Sequence, residues 1–561
     1  MTKRILTLVL AVIMVASILA GCTANSSSSD SGSGSGSESA SGSDSGSAEV
    51  ENLNKEGFPI VNEVIELKGF GGRAPEDIAW EEVENYKEYE KMTNVKITWE
   101  LADVENIAEV RNIKLASGDL PDLFFQARMP VLDQLKYGQM GYFIPLNDLI
   151  KNYAPNLQKI LDTEPDVKKV WTMSDGNIYA TAGCTASDNY MNLMPQKWWA
   201  SWDYINKYND GKLPTTTDEL YTFLKAVKDD NPEMTPLSSH RLKWIIRAMK
   251  GSFGMGNRSA YNHEYVSWDE ENQTVVLDAT TENYKEMLQY LNKLYAEGIL
   301  DPNIFTQEMA SYVANGREGK YCFIHGNTPG VFGFPKNEED NNPDNLPYWN
   351  TTGEGGWTCA THLAGPHGDD IMSCYLPQSQ MPGQFVITKN NKYPEATMRW
   401  VDYFMDGGEG TIFYYYGIEG NGYDLDENGH MDNSNYNKQA TGKQYTFQGS
   451  YPVWYWTADV YNFSIKNPEA EELYDNDLKK LYETKPDSVW GEFAWTSEEA
   501  DEMSILQTDI HGYIEEVKAK LITGEMSFDE WDTIQTKIKN MGLDRYIEIY
   551  TQAALRLEGQ K

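Results

Sequence analysis

The sequence is poor in cysteine, in basic residues and in long apolar runs, and each shortage argues against a class of protein. Only 5 of the 561 residues are cysteine, which is too few for a disulfide scaffold in a chain of this length. Lysine and arginine number 47 against 85 acidic residues, and the formal net charge of −38 repels nucleic-acid phosphates and anionic lipid headgroups. Beyond residue 21, the strongly apolar stretches are short and interrupted by charges. We therefore expect no nucleic-acid partner and no membrane-spanning segment in the body of the protein.

The first 21 residues have the three parts of an export signal. Lys3 and Arg4 precede an apolar run, and small residues stand directly before Cys22. The tetrad Leu19-Ala20-Gly21-Cys22 resembles the bacterial lipoprotein box, which implies that the Cys22 thiol is acylated and anchors the protein to the outer face of the cytoplasmic membrane. An ordinary secretory signal with an incidental cysteine is the alternative. Residues 22–57 then form the anchor and a tether, because 25–48 are almost wholly Ser, Gly, Asp and Glu and cannot bury a core.

The body of the chain is rich in aromatic rings, with 16 Trp and 35 Tyr. Such rings suit carbohydrate surfaces as well as cores. The length fits three or four ordinary domains or two large lobes. One or two disulfides remain open among the four cysteines after Cys22, namely Cys184, Cys322, Cys359 and Cys374.

Hydrophobic periodicity near the start of the body predicts strands alternating with helices. Residues 64–68 are predicted to form a strand that ends in the glycine-rich stretch 69–73, and Val95, Ile97, Trp99 and Leu101 alternate as a second strand. A third, apolar strand is predicted at 120–125. This order is typical of an open α/β sheet, in which ligands bind beyond the carboxyl ends of the strands.

The middle and the end of the chain are predicted to be more helical. Thr216 with Glu219 has the pattern of a capping box at a helix start. Residues 284–294 and 506–521 have the spacing of amphipathic helices.

Several stretches together resemble the lipid-anchored extracellular solute-binding proteins of bacterial ABC importers, in particular the branch that binds large oligosaccharides and alginate. The match extends over nearly the whole body and depends on the number and order of its motifs, which are 115–122, 143–150, 213–221, 295–300, 382–388, 393–404 and 416–420.

The resemblance implies a two-lobed, type II periplasmic-binding-protein-like α/β fold, in which each lobe is an open sheet flanked by helices and the ligand lies in the cleft between them. It implies a first lobe of residues 58–181 and 386–445 and a second, more helical lobe of 182–385 and 446–561. It also implies a monomer without cofactor that contacts the membrane only through its lipid and delivers its ligand to permease subunits.

One departure concerns calcium. Alginate-binding relatives carry a calcium loop where this chain reads Asp229-Asp230-Asn231-Pro232-Glu233-Met234, which lacks the alternating oxygen ligands. Residues 424–429 have part of an EF-hand pattern, but Asn435 stands where the twelfth-position glutamate belongs, and a hairpin turn is the favoured interpretation. We expect no metal at either place.

Candidate ligand-binding residues combine aromatic rings with polar side chains, as sugar sites do. Trp454 and Trp456 are favoured, because strand alternation puts both rings on one face. A packed pair under the hinge is the alternative. For the adjacent pair Trp198 and Trp199, a regular element is expected to bury only one ring. The remaining candidates are Arg73, Gln126, Arg128, Trp244, Arg247 and Trp357.

The sequence contains no pattern that demands catalysis. Cys359, His362, His367 and Cys374 match no common zinc spacing, and neither a phosphate-binding loop nor a nucleophile elbow is present. We therefore predict a non-enzymatic receptor for an oligosaccharide. Because several candidate residues are arginines, the oligosaccharide is either neutral or acidic. The alternatives are a surface-anchored glycan-degrading enzyme and an importer receptor for peptides.

Overall fold

The computed structural model describes residues 52–73, 78–327, 329–332, 355–379, 381–427, 429–432, 453–463 and 478–559. The predicted signal, Cys22 and the tether up to residue 51 lie outside the described residues, as do Asn435 and the end of the predicted first lobe at residue 445.

The described strands are short and numerous. In chain order they are β1 (Ile65–Arg73), β2 (Val95–Asp103), β3 (Leu123–Phe125), β4 (Cys184–Thr185), β5 (Lys197–Ser201), β6 (Leu237–Ser238), β7 (Val266–Asp269), β8 (Thr274–Leu277), β9 (Phe323–Gly326), β10 (Trp357–Ala360), β11 (Phe385–Ile387), β12 (Asp424–Leu425), β13 (Met431–Asp432) and β14 (Tyr455–Trp456).

Helices surround these strands. They are α1 (Glu84–Thr93), α2 (Ile107–Ser117), α3 (Val131–Gln139), α4 (Asn147–Tyr153), α5 (Pro155–Thr163), α6 (Pro165–Trp171), α7 (Tyr190–Leu193), α8 (Trp202–Tyr208), α9 (Thr217–Asp230), α10 (Leu242–Ser252), α11 (Glu282–Ala296), α12 (Met309–Arg317), α13 (Pro394–Asp402), α14 (Glu409–Tyr416), α15 (Ala458–Phe463), α16 (Ser497–Thr523), α17 (Trp531–Asn540) and α18 (Leu543–Glu558). Within the described part of the chain, none of them combines the length and hydrophobicity needed to span a bilayer.

The first sheet has the order β11-β3-β1-β2 and confirms the predicted strand–helix alternation. β1 pairs in parallel with β2 and β3, and β11 adds an antiparallel edge next to β3. β1 begins at Ile65 and ends at Arg73, within the glycine-rich stretch in which the strand is predicted to end. Its glycines leave room for packing: a Cβ on Gly69 would lie 2.3 Å from the Trp99 ring, and one on Gly71 would lie 2.5 Å from the Trp80 ring.

The second sheet has the order β10-β5-β9-β6. β5 lies between two antiparallel neighbours, so that Trp198 faces His325 and Ala360 across the ladder, and Trp199 faces Ile324 and Cys359. Helix α9 begins after Thr216, whose hydroxyl accepts a hydrogen bond from the Glu219 amide at 3.1 Å. The Glu219 carboxylate bonds Thr215 rather than Thr216, so the helix start is capped without the reciprocal bond of a full capping box.

Each sheet has its own hydrophobic core, and we call each sheet with its core a lobe. Residues up to Ala186, 385–418 and Val453 to Tyr455 pack in or against cores on the first sheet. Most residues from Tyr190 to Tyr375 and from Tyr461 onwards pack with the second, and Ala494 is an exception that packs against a first-sheet core. Three segments of the described chain therefore join the lobes. We call residues 186–193 the first connection, 375–379 with 381–385 the second, and 455–461 the third.

Candidate functional site

A cavity of about 420 Å³ lies where the three connections meet. This volume is within the range of small-molecule sites. Its lining contains four aromatic residues, four side-chain amides and six small or apolar residues; these are Tyr261, Tyr415, Trp454, Trp456, Asn192, Gln196, Asn327, Gln378, Gly183, Cys184, Thr185, Pro195, Leu376 and Met381.

Strand β14 and the residue directly before it bring Trp456 and Trp454 to this cavity. The strand pairs in parallel with β4, and the amides of Cys184 and Ala186 each donate at 2.9 Å to the carbonyls of Trp454 and Trp456. The two indole rings meet edge to face with centroids 5.5 Å apart, and the Tyr415 ring packs against both, at 5.2 Å from Trp454 and 4.5 Å from Trp456. Both tryptophans line one cavity, as the alternation predicts, and Trp454 keeps part of its ring accessible.

Three buried polar atoms of the lining have no hydrogen-bond partner among the described residues. They are the Trp456 Nε1 and Asn192 Nδ2 donors and the Gln196 Oε1 acceptor. A buried polar group without a partner costs about 1–3 kcal/mol. Atoms of this kind on the wall of a cavity are positioned to bond a ligand that both donates and accepts hydrogen bonds.

The cavity lining carries no formal charge, since it includes no Asp, Glu, Lys, Arg or His. Burial raises the pKa of the Tyr415 hydroxyl. Burial and, to a smaller extent, the carboxylate of Glu164 raise the pKa of the Cys184 thiol. The lining therefore stays neutral at physiological pH.

Arg247, a sequence candidate, is placed behind the cavity rather than on it. Its Nη2 donates to Glu264 Oε2 at 2.6 Å, and its guanidinium lies 5.1 Å from the centre of the Tyr261 ring, which does line the cavity. Desolvation alone would raise the pKa of Glu264, but the attraction of Arg247 brings it below its usual value. The arginine charge is thus compensated within the protein.

The expectation that one of the two adjacent tryptophans is exposed is wrong. Trp198 is 4% exposed and Trp199 1%, because β5 is covered on both faces. The Trp199 Nε1 donates to the Gly326 carbonyl at 3.0 Å. Neither ring is part of the cavity lining.

The remaining second-lobe candidates also lie away from the lining. Trp244 on α10 is half-buried, with its ring 5.5 Å from His240. Trp357 begins β10 opposite Ser201, and its half-buried ring is 6.1 Å from Phe332.

Gln126, a first-lobe candidate, supports the cavity indirectly. It is fully buried, and its Nε2 donates to the Tyr414 hydroxyl at 2.8 Å. The Tyr414 ring in turn packs 5.4 Å from Trp454. Gln126 is therefore placed to hold an aromatic wall rather than to touch a ligand.

The two first-lobe arginines are outside the lining. Arg73 ends β1 opposite Asp103. Arg128 is exposed, with a left-handed backbone (φ 50°) whose carbonyl accepts from Arg111 Nη1 at 2.5 Å. Desolvation raises the pKa of Glu492, and the charge of Arg128 partly opposes that rise.

Most of the lining was missed in the sequence. Tyr261, Asn192, Gln196, Asn327 and Gln378 lie on irregular segments or at element ends, where no periodicity marks them. Tyr415 lies within the run Tyr414-Tyr415-Tyr416, which was a usable signal of an aromatic cluster.

No group of three or more metal-binding side chains is arranged for a metal ion within the described residues. Asp230 instead bonds Lys207 at 2.9 Å, and β12 and β13 form the hairpin favoured over a calcium loop. His367 is exposed and bonds Glu286 at 2.7 Å. The described cysteines, Cys184, Cys322, Cys359 and Cys374, are buried free thiols.

Comparison with known proteins shows similarity along most of the chain. The fructooligosaccharide ABC transporter substrate-binding protein FusA of Streptococcus pneumoniae is 27% identical over 490 residues, covering 82% of this chain and 84% of FusA. Lipoprotein LipO of Bacillus subtilis is 22% identical over 419 residues, covering 72% of this chain and 74% of LipO. No protein-family profile matches.

Solved structures share the fold. FusA in complex with kestose superposes with a TM-score of 0.65 at 23% identity, covering 89% of this chain and all of FusA. The alginate-binding protein AlgQ2, determined without calcium ion, gives 0.60 at 23% identity, covering 88% of this chain and 98% of AlgQ2. The predicted two-lobed solute-binding fold is confirmed.

Proposed function

We propose that this chain, a homologue of ABC-transporter substrate-binding proteins over most of its length, is the extracellular receptor of such an importer. It captures an oligosaccharide in the cavity between its lobes and delivers it to permease subunits. The observation that carries the proposal is the pairing of Trp454 and Trp456 with three unpartnered buried polar atoms on one cavity wall. Sugars present apolar C–H faces to such rings and hydroxyls to such atoms.

The charge of the lining favours a neutral glycan over an acidic one. A carboxylate only accepts hydrogen bonds and needs a positive partner when it is desolvated. No such partner lines the cavity, and the nearby Arg247 is paired with Glu264. A hydroxyl can both accept from Trp456 and donate to Gln196.

The same lining gives little support to the alternatives. Glycoside hydrolysis typically uses two carboxyl groups at the scissile bond, and the described cavity residues include none. A free peptide would bring charged termini into a neutral cavity.

A thermal-shift screen with product analysis tests the proposal. The panel contains kestose and other neutral oligosaccharides, oligomers of alginate and polygalacturonate, and short peptides. We expect a neutral oligosaccharide to raise the temperature midpoint of unfolding. At a ligand concentration of 100 Kd, the free energy of unfolding should increase by about 2.7 kcal/mol. Reducing ends released from the ligand would contradict the receptor, and a response to uronates alone would contradict the neutral cavity.

We also infer that Cys22 anchors the receptor as a lipoprotein on the outer face of the cytoplasmic membrane, as a monomer. The lipoprotein-box resemblance supports the anchor, and a relative, LipO, is named a lipoprotein. In a bacterial host, Cys22→Ser should move the protein from the membrane fraction to the medium. Retention of that variant in the membrane would refute the anchor, and light scattering of the soluble form tests the monomer.

A further inference from the structure

We propose that Glu164 is the positioning residue that holds the three connections between the lobes together and thereby sets the wall of the ligand cavity. Glu164 directly precedes α6 and is 4% exposed. It is not part of the cavity lining. Its carboxylate accepts hydrogen bonds at both oxygens, and each donor residue lies on a different connection.

The first and third connections meet at Oε1. The Tyr455 hydroxyl donates to this oxygen at 2.8 Å, and the Ser187 amide donates to it at 3.3 Å, with the Ser187 hydroxyl at 3.5 Å. The second connection meets Oε2, which accepts from Gln378 Nε2 at 2.6 Å. Segments far apart in the sequence thus share one buried carboxylate.

The donors to Glu164 are continuous with the cavity wall. Gln378 lines the cavity, and its Nε2 also donates to the Thr185 carbonyl at 3.1 Å, while the Thr185 amide donates to the Gln378 carbonyl at 2.8 Å. Tyr455 lies between Trp454 and Trp456, whose carbonyls accept the amides of Cys184 and Ala186. Orienting these three donors therefore orients an amide and both indole rings.

The chemistry requires a carboxylate at this place. The described structure places no lysine, arginine or histidine within ion-pair distance of Glu164, so its charge is stabilised by neutral donors alone. Hydrogen bonds to an ionised acceptor are about twice as strong as those between neutral groups. In Glu164→Gln, an amide has only one acceptor oxygen, so the Gln378 amide or the Tyr455 hydroxyl loses its acceptor.

Connections between lobes absorb the backbone rotations of hinge closure. We call the Glu164 carboxylate with its three donor residues the node. Because the node joins all three connections, they must move together. A ligand that displaces Gln378 therefore also displaces the other connections. This coupling to ligand rests on the proposed function. The node itself does not.

Hydrogen exchange of the ligand-free protein tests the node. In Glu164→Gln, the amides of Cys184, Thr185 and Ala186 should exchange about tenfold faster than in the wild type, because the carbonyls of Gln378 and Trp456 lie on released connections and that of Trp454 directly precedes one. The matched control is Asp402→Asn, which alters another buried carboxylate, bonded to the amides of Asn156 and Leu157 on no connection. The control should accelerate exchange near 155–157 only.

Unchanged exchange at Cys184, Thr185 and Ala186 in Glu164→Gln would overturn the proposal, as would equal acceleration there in Asp402→Asn. If Glu164→Gln does not fold, Tyr455→Phe, which deletes one donor, should accelerate the Cys184 and Ala186 amides. If Tyr455→Phe leaves the exchange of these two amides unchanged, the proposal fails.

Titration with the saccharide that gives the largest thermal shift tests the coupling. We expect about tenfold weaker binding in Glu164→Gln and unchanged affinity in Asp402→Asn. Equal affinity in Glu164→Gln and the wild type would remove the coupling. If no panel compound binds the wild type, the proposed function fails, whereas the exchange result still decides whether Glu164 is a node.

Discussion

Two tryptophan pairs of this protein have opposite roles in its structure. Trp198 and Trp199 are adjacent on β5, point to opposite faces of a covered sheet and are both buried, and Trp199 Nε1 has a carbonyl partner. Trp454 and Trp456 are two residues apart, face the same cavity, and Trp456 Nε1 has no partner in the described structure. In the first pair, the protein itself supplies the acceptor for the Trp199 Nε1 donor. In the second pair, the Trp456 Nε1 donor is available to a ligand. The comparison predicts that substitutions will separate stability from affinity.

Removal of a ring from the buried pair should change stability more than any other substitution considered for the two pairs. Trp199→Ala should lower the free energy of unfolding by about 3–5 kcal/mol, because it removes a fully buried ring and leaves a cavity. Denaturant unfolding measures the change. Under conditions where the variant remains folded, its affinity for the ligand should equal that of the wild type. A parallel loss of affinity would place Trp199 in the binding machinery and would remove the difference between the two pairs.

The stability of the protein should also fall at acidic pH, because of the buried residue His263. Burial lowers the pKa of His263 to about 4, and both its ring nitrogens bond neutral groups, the Tyr550 hydroxyl and the Gly491 carbonyl. Below its ordinary pKa of about 6.5 the unfolded chain binds a proton that the native state does not, so stability falls as the pH falls from about 6.5 to 4. His263 alone should contribute about 3 kcal/mol over this range.

The cavity should respond differently to the same change of pH. Because its lining holds no group that titrates between pH 5.5 and 8, ligand affinity should stay constant there while the unfolding midpoint falls towards the acid end. Replacement of His263 by Gln should reduce the acid slope of the midpoint. A bell-shaped or sloping affinity profile would show that a charged group reaches the ligand.

The open pair gives a smaller effect, this time on affinity. Trp456→Ala should weaken oligosaccharide binding by about 2 kcal/mol, or roughly 30-fold, as truncation of a central aromatic contact does. Trp456→Phe keeps a ring but removes Nε1, and should cost about 1 kcal/mol. Calorimetric titration distinguishes the two variants. Equal affinity of Trp456→Ala and the wild type would mean that the pair is packing under the hinge.

Elements with local periodicity could be predicted from the sequence. The alternation of Val95, Ile97, Trp99 and Leu101 identifies β2, and the spacing of Trp454 and Trp456 identifies a shared face, because both depend on neighbours along the chain. The packing at the β1 glycines could not be predicted, since the space they leave is filled by the Trp99 and Trp80 rings from other elements.

Most residues of the cavity lining could not be predicted either, because they also depend on partners from distant parts of the chain. Its four amides come from three separate segments, with Asn192 and Gln196 on the same one, and these segments become neighbours only when the three connections meet. Arg247 is a candidate by its residue type, but the fold places Glu264 beside it, 17 residues away in the chain. Whether a charged side chain can bind a ligand depends on partners that are distant in the sequence. Local sequence patterns do not identify such partners.

A buried amide of the cavity lining, Gln196, should contribute to affinity without contributing to stability. Gln196 is 6% exposed and its Oε1 lacks a partner in the described structure, so Gln196→Met should stabilise the ligand-free protein or leave its stability unchanged. The same substitution should weaken binding by about 1 kcal/mol, because a ligand hydroxyl loses its acceptor. Gln307→Met is the matched control: Gln307 is also buried with an unpartnered Oε1, but its Nε2 bonds the Ser239 carbonyl at 2.7 Å and it lies outside the cavity. The control should lower stability and leave affinity intact. Weaker binding without a loss of stability in Gln196→Met is expected only where the fold leaves an acceptor for a ligand, and a loss of both stability and affinity would assign Gln196 to the core instead.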